Sequence, residues 1–268
     1  MELLFSPLFS GSSGNAIYVG DGESGILVDA GVSCARIVKE LENIGVKPES
    51  LNAILITHEH TDHTSGAGIL SRKFDLPIYA TEGTWNGMQD KVGAVQSKNI
   101  RLIDARQDFY IGKIGVCPFS IPHDASDPCG FSFISGSIKA SIATDIGCIR
   151  DGWISAVSDS DILLLESNYN EDMLKAGKYP YALKKRILSR TGHLSNDDAG
   201  KAAVRLVNRN VRNIILGHLS KENNFPQLAE QTVRLALNEA GCEIGRDVNL
   251  SIARRDGFSG LFALEDNA

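Results

Sequence analysis

The chain has no CxxC pair and no even set of cysteines. Cys34, Cys117, Cys129, Cys148 and Cys242 are odd in number and scattered, which argues against a disulfide framework and for the reduced, buried thiols of a cytoplasmic protein. No apolar run approaches the roughly 20 residues of a membrane span, so no membrane partner is expected. The start Met1-Glu2-Leu3-Leu4-Phe5 lacks the basic residues and long apolar core of a signal peptide. Positive charge is not in excess: 27 basic residues stand against 33 acidic ones, a net charge of −6. No strongly basic surface therefore advertises a polyanion partner, although a local patch or bound cations can still serve one. Internal repeats, low-complexity runs and long linkers are also missing. With 268 residues, 43% of them hydrophobic, the chain can bury one large core or two modest ones.

The densest chemistry lies in His58-Glu59-His60-Thr61-Asp62-His63, directly after the apolar run Ile54-Leu55-Ile56. His58 and His60 are two residues apart, so on an extended chain their imidazoles share a face. Asp62 and His63 follow where Thr64, Ser65 and Gly66 imply a turn into a helix. Three imidazoles and a carboxylate from one loop are nitrogen and oxygen donors suited to zinc and tolerated by manganese or iron. No structural requirement explains so many clustered imidazoles.

Elsewhere short strands alternate with helices, as in an α/β αββα sandwich with two strand-rich halves and helices outside. Strands are expected at Leu3–Phe9, Ala16–Val19, Gly25–Ala30, Leu76–Ala80, Val116–Ile121, Phe131–Ile134, Lys139–Thr144, Asp161–Glu166, Arg212–Leu216 and Val248–Ala253. Helices are expected at Cys34–Ile44, Gly66–Phe74, within 81–98, and at Ser195–Val207 and Gln227–Ala240. Paired strands with turns at Gly112 and Gly115 fill 100–120. Further candidate ligands, His123, Asp145 and His218, each follow an expected strand. Asp29 also ends one, and either orients the histidine loop or caps the next helix. The turn Ser10–Asn15 either offers backbone N–H groups to an anion or is a plain hairpin. The segment 168–192 carries six basic residues with Tyr169, Tyr179 and Tyr181, either a DNA contact or a solvated helix face.

In this order, His-x-His-x-Asp-His, His123, Asp145 and His218 resemble the ligand set of the metallo-β-lactamase superfamily over nearly the whole chain. The resemblance implies two divalent ions, Zn²⁺ or Mn²⁺. His58, His60 and His123 would hold one, Asp62, His63 and His218 the other, and Asp145 would bridge them. Glu166-Ser167-Asn168-Tyr169 and Gly192-His193-Leu194-Ser195-Asn196 look like the Glu and His motifs of tRNase Z-type phosphodiesterases. By that likeness Glu166 and His193 would protonate the leaving oxygen, while Asp62 would also orient the attacking water. The chain has no tRNase Z arm, and the interval from Asp145 to His218 is too short for a β-CASP insertion, so 1–268 is expected as one hydrolase domain. With Phe9-Ser10-Gly11-Ser12-Ser13-Gly14-Asn15-Ala16 and His123-Asp124-Ala125, the whole looks most like the compact YycJ/WalJ family. That implies 5′-to-3′ exonuclease action on double-stranded DNA, with a link to DNA repair. A phosphodiesterase of small or cyclic phosphates uses the same chemistry and is the alternative.

Overall fold

Apolar runs broken by glycine turns become strands, and the longer amphipathic stretches become helices laid on them. The computed structural model describes residues 2–265. Contacts divide these into two units. The first holds the chain up to Ser120, Ala125–Ile138 and the stretch from Arg254 on, and the second holds Ile121–Asp124 and Lys139–Ala253.

In the first unit β1 (Glu2–Phe9), β2 (Ala16–Gly20) and β3 (Gly25–Val28) form an antiparallel meander. Helix α1 (Cys34–Asn43) then leads to β4 (Leu51–Leu55), which pairs parallel to β3. Burying Ile37 and Leu41 of α1 stabilises its docking by roughly 1.5–3 kcal/mol per side chain. The short α2 (Thr61–Thr64) and α3 (Ala67–Phe74) precede β5 (Ile78–Thr81). Helix α4 (Glu82–Val92) and β6 (Ile100–Ile103) complete the parallel run, with β5 beside β4 and β6 beside β5. A separate antiparallel ladder joins β7 (Phe109–Ile111), β8 (Ile114–Ser120) and β9 (Cys129–Ser135).

The second unit is built on four parallel strands: β10 (Ile138–Ala143), β11 (Ile162–Glu166), β12 (Asn213–Gly217) and β13 (Asn249–Ile252). β11 reads Ile-Leu-Leu-Leu-Glu and is buried throughout, as parallel strands covered on both faces are. Its connections are α5 (Asp151–Ala156), α6 (Glu171–Ala176), α7 (Tyr181–Ile187), α8 (Asn196–Val207) and α9 (Pro226–Glu239). Ser195 caps α8 by accepting from the Asp198 N–H at 3.1 Å, and Asp197 and Asp198 sit in its first turn, where carboxylates favour the positive helix end. Last, β14 (Phe262–Glu265) pairs antiparallel with β1 in the first unit.

The departures from the sequence reading are local. The helix expected within 81–98 stops at Val92, where Gly93 takes φ +73°. Gly115 lies inside β8 and only Gly112 turns, with φ +57°. α5 and β14 carry too few periodic apolar residues to stand out in sequence.

Candidate metal centre

Three polar residues follow strands in left-handed backbone: Asp29 at φ 60°, Asp145 at φ 58° and His218 at φ 55°. Such conformations cost on the order of 1–3 kcal/mol for a residue with a side chain and gather at functional sites. Here each turns a side chain sharply at the end of β3, β10 or β12.

In the first unit the histidine loop is held from several sides. Asp29 is fully buried, and its carboxylate accepts from the Thr57 N–H at 2.9 Å, the Thr57 hydroxyl at 2.9 Å and His63 Nδ1 at 2.7 Å. Asp29 is therefore the loop's anchor and not a helix cap; Ser33 occupies the cap position of α1. A carboxylate on Nδ1 fixes the imidazole tautomer and leaves Nε2 as the lone-pair nitrogen, the arrangement that surrounds metal-bound histidines. His58 Nδ1 lies 3.0 Å from the same Thr57 hydroxyl, and its Nε2 faces His60 Nδ1 at 3.0 Å. Asp62 Oδ2 lies 3.6 Å from His63 Nε2. Asp62 and His63 belong to α2, a short helix the sequence reading does not anticipate, while the expected helix at Gly66–Phe74 is α3.

The Ser10–Asn15 turn belongs to this support. The Asn15 N–H donates to the Asp62 carbonyl at 2.9 Å, and Asn15 Nδ2 lies 3.1 Å from His63 Nε2. Glu59, between the two histidines, takes no part in the donor cluster: its Oε1 accepts from the Ser126 N–H at 2.9 Å and hydroxyl at 2.8 Å. Neither Asn15 nor Glu59 carries a sequence signal beyond its position in the motif.

In the second unit β11 ends on Glu166, and Asp145 and His218 follow the ends of β10 and β12. One ligand atom each from Asp145, Glu166, His193 and His218 lies within 4.8 Å of the others. His218 Nδ1 is 2.9 Å from Asp145 Oδ2, and His123 Nε2 is 3.7 Å from Asp145 Oδ1. His123 Nδ1 donates to the Gly192 carbonyl at 3.1 Å, leaving Nε2 as the lone-pair nitrogen. Burial pulls its pKa below the ordinary histidine value against the nearby Asp145 carboxylate, so the ring is held neutral, as a metal ligand must be.

Glu166 behaves differently from the other carboxylates. It is fully buried. Oε2 accepts from the Ile146 N–H at 2.7 Å and the Leu194 N–H at 3.1 Å, while Oε1 accepts from His193 Nδ1 at 2.8 Å. Burial opposes the charged form of His193, but the Glu166 carboxylate, helped by Asp145, outweighs it and raises the pKa to about 9. The carboxylate thus favours the imidazolium, with Nδ1 engaged and Nε2 as the second acidic position.

Both donor sets fit divalent cations. His58, His63 and His123 are each oriented by a partner on Nδ1, and buried carboxylates such as Asp145 need a counter-charge in low dielectric. The cysteines contribute nothing comparable. Cys129 is buried, which pushes its thiol well up, and Cys148 offers its carbonyl to Trp153 Nε1 at 3.2 Å. Of the three tyrosines in 168–192, Tyr169 is buried with Leu174 and Ile187, and Tyr179 packs against them; only Tyr181 stands out from the surface.

Residues 25–218 match the model of the β-lactamase superfamily domain, and that span draws on both units. The exodeoxyribonuclease WalJ of Streptococcus pneumoniae serotype 2 strain D39 is 40% identical over 91% of this chain and 91% of its own length. The exodeoxyribonuclease YycJ of Bacillus anthracis is 37% identical over 91% of this chain and 93% of its own. Among solved structures, the metallo-β-lactamase fold protein YhfI of Bacillus subtilis aligns with a TM-score of 0.72 at 17% identity, covering 96% of this chain and 99% of that one. The fold is accordingly the expected metallo-β-lactamase fold, two mixed sheets flanked by helices. With its family model and near full-length relatives in agreement, this chain belongs to the metallo-β-lactamase superfamily, in its YycJ/WalJ-like branch.

Proposed function

We propose that this chain is a metal-dependent exodeoxyribonuclease acting on duplex DNA from the 5′ end. The observation that carries the reading is the Glu166–His193 pair, 2.8 Å apart beside Asp145 and His218. It is a preformed proton donor, and cleavage of a phosphodiester leaves an alkoxide that needs a proton. Hydrolysis of a lactone or thioester has less use for so carefully held an acid. The exonuclease names of the relatives support the same reaction on DNA.

By the order of donors in the family, His58, His60 and His123 would hold one ion and Asp62, His63 and His218 a second, with Asp145 available to both. Zn²⁺ and Mn²⁺ both suit this mixture of imidazole and carboxylate. Bound there, such ions lower the pKa of water toward neutrality and offset charge on the phosphoryl oxygens. Asp62, besides binding metal, would orient the attacking water. His193 gives its Nε2 proton to the leaving 3′-oxygen, and Glu166 holds the ring and stabilises its charge until transfer. The scattered thiols support a cytoplasmic setting.

Purified protein is tested on end-labelled duplex DNA with added Mn²⁺ or Zn²⁺, beside Asp62→Asn and a generic small phosphodiester. Stepwise shortening from the 5′ end, lost in Asp62→Asn, is the expected result. Hydrolysis of the small diester alone overturns the nuclease reading in favour of a small-molecule phosphodiesterase.

A further inference from the structure

The segment 168–192 contains six basic residues, Lys175, Lys178, Lys184, Lys185, Arg186 and Arg190, and two acidic ones, Glu171 and Asp172, in a chain of net charge −6. Its two helices, α6 and α7, frame an open groove of about 540 Å³ lined by Lys175, Tyr181, Lys184, Lys185, Leu188 and Ser189. The floor is apolar and exposed: Tyr181 is 81% and Leu188 41% accessible. Exposed aromatic and aliphatic surface beside ammonium groups is an unusual combination for a face that only meets water. A ring bearing no packing role, flanked by cations, complements a nucleotide: the base has a π-face and the phosphate a charge.

The groove is tied to the proposed acid. Arg186 of α7 is paired in bidentate fashion with Asp124, the neighbour of His123. The Ile187 carbonyl accepts from the His193 N–H at 3.1 Å. Tyr181 and Ile187 are six residues apart, about 9 Å along a helix, so the groove and the backbone that holds His193 belong to the two ends of one short helix.

On the nuclease reading above, we propose that this groove is a subsite for an unpaired nucleotide of the DNA end. Its base stacks on Tyr181 and Leu188 and its phosphates meet Lys184 and Lys185, on the same strand as the phosphate beside His193. The subsite favours substrates with a frayed or single-stranded end over fully paired blunt ends. It selects by stacking and charge, without reading base identity.

The test uses full-length protein with Ca²⁺ in place of catalytic metal and duplexes carrying 2-aminopurine at successive positions of a short single-stranded end. Fluorescence should be quenched at one position of the scan by the wild type and by Tyr181→Phe, and not by Tyr181→Ala. Affinity of Tyr181→Ala for this end should fall about 5- to 150-fold, with blunt duplex affinity little changed. Lys184→Ala/Lys185→Ala should keep the quench while the salt dependence of binding loses about 1.4 in log–log slope for two phosphate contacts. Hydrolysis of a small phosphodiester should be unaffected in every variant. Equal quench and affinity in Tyr181→Ala overturn the subsite alone. Absence of DNA binding by the wild type, with the small diester still hydrolysed, overturns the nuclease reading and the subsite with it.

Discussion

His193 and Asp29 are both histidine-loop or acid-site supports in appearance, yet removing each should fail differently. His193→Ala takes away the proton for the leaving oxygen, so turnover should fall about 100- to 10,000-fold while the metal content, measured by elemental analysis, stays at the wild-type value. Loss of metal in this variant would show instead that His193, which lies within reach of Asp145 and His218, is a ligand. The pH profile gives an independent reading. An acid whose pKa is raised to about 9 works while protonated, so the rate should hold through neutrality and drop as pH rises through about 9. Glu166→Gln removes the carboxylate that raises the pKa, and the alkaline limb should move to lower pH. Asp29→Asn acts through His63: it weakens the acceptor on Nδ1, and metal affinity measured by competition with a chelator should fall about 10- to 100-fold, with the pH limb unmoved.

At the scale of elements, the loop from β3 to α1 and the turn of α2 are packed so tightly that one methyl group decides their fit. A Cβ on Gly31 would lie 1.6 Å from the Asp62 carbonyl oxygen, inside any van der Waals contact. Gly31→Ala should therefore displace the histidine loop, lowering both metal content and Tm, whereas a methyl at Gly152, which meets nothing within 4 Å, should leave both intact. This dependence was invisible in the sequence, because a glycine that admits a carbonyl from another element looks like any turn glycine. The histidine motif was legible for the opposite reason: its four donors are packed into six residues, and no structural need competes with them. His123, Asp145 and His218 were legible through their places after apolar strands and Glu166 through its place at the end of one; parallel pairing of β10, β11 and β12 brings Asp145, Glu166 and His218 to one end of the second unit's sheet. The tyrosines of 168–192 show where such reading stops. Tyr169, Tyr179 and Tyr181 are alike in composition and spacing, and only the packing of Leu174 and Ile187 against the first two leaves Tyr181 exposed.

At the scale of the molecule, the electrostatics set a problem that the site must solve. A chain of net charge −6 repels DNA at long range, and the buried carboxylates Asp29, Asp145 and Glu166 add negative potential around the proposed ligands. The basic segment 168–192 offsets part of this, and divalent ions at the donor sets would offset more. Metal removal should then act on binding as well as on chemistry: chelator-treated protein should lose affinity for duplex DNA, and the loss should be largest at low ionic strength, where repulsion is least screened. The same ions should stabilise the fold, because a ligand bound only by the native state adds about 2.7 kcal/mol at a concentration one hundred times its Kd. Titrating Mn²⁺ or Zn²⁺ into stripped protein should raise Tm and restore DNA affinity over the same concentration range. If Tm rises with metal while DNA affinity is the same in stripped and loaded protein, the ions serve the fold and the attraction for DNA rests on the basic segment alone.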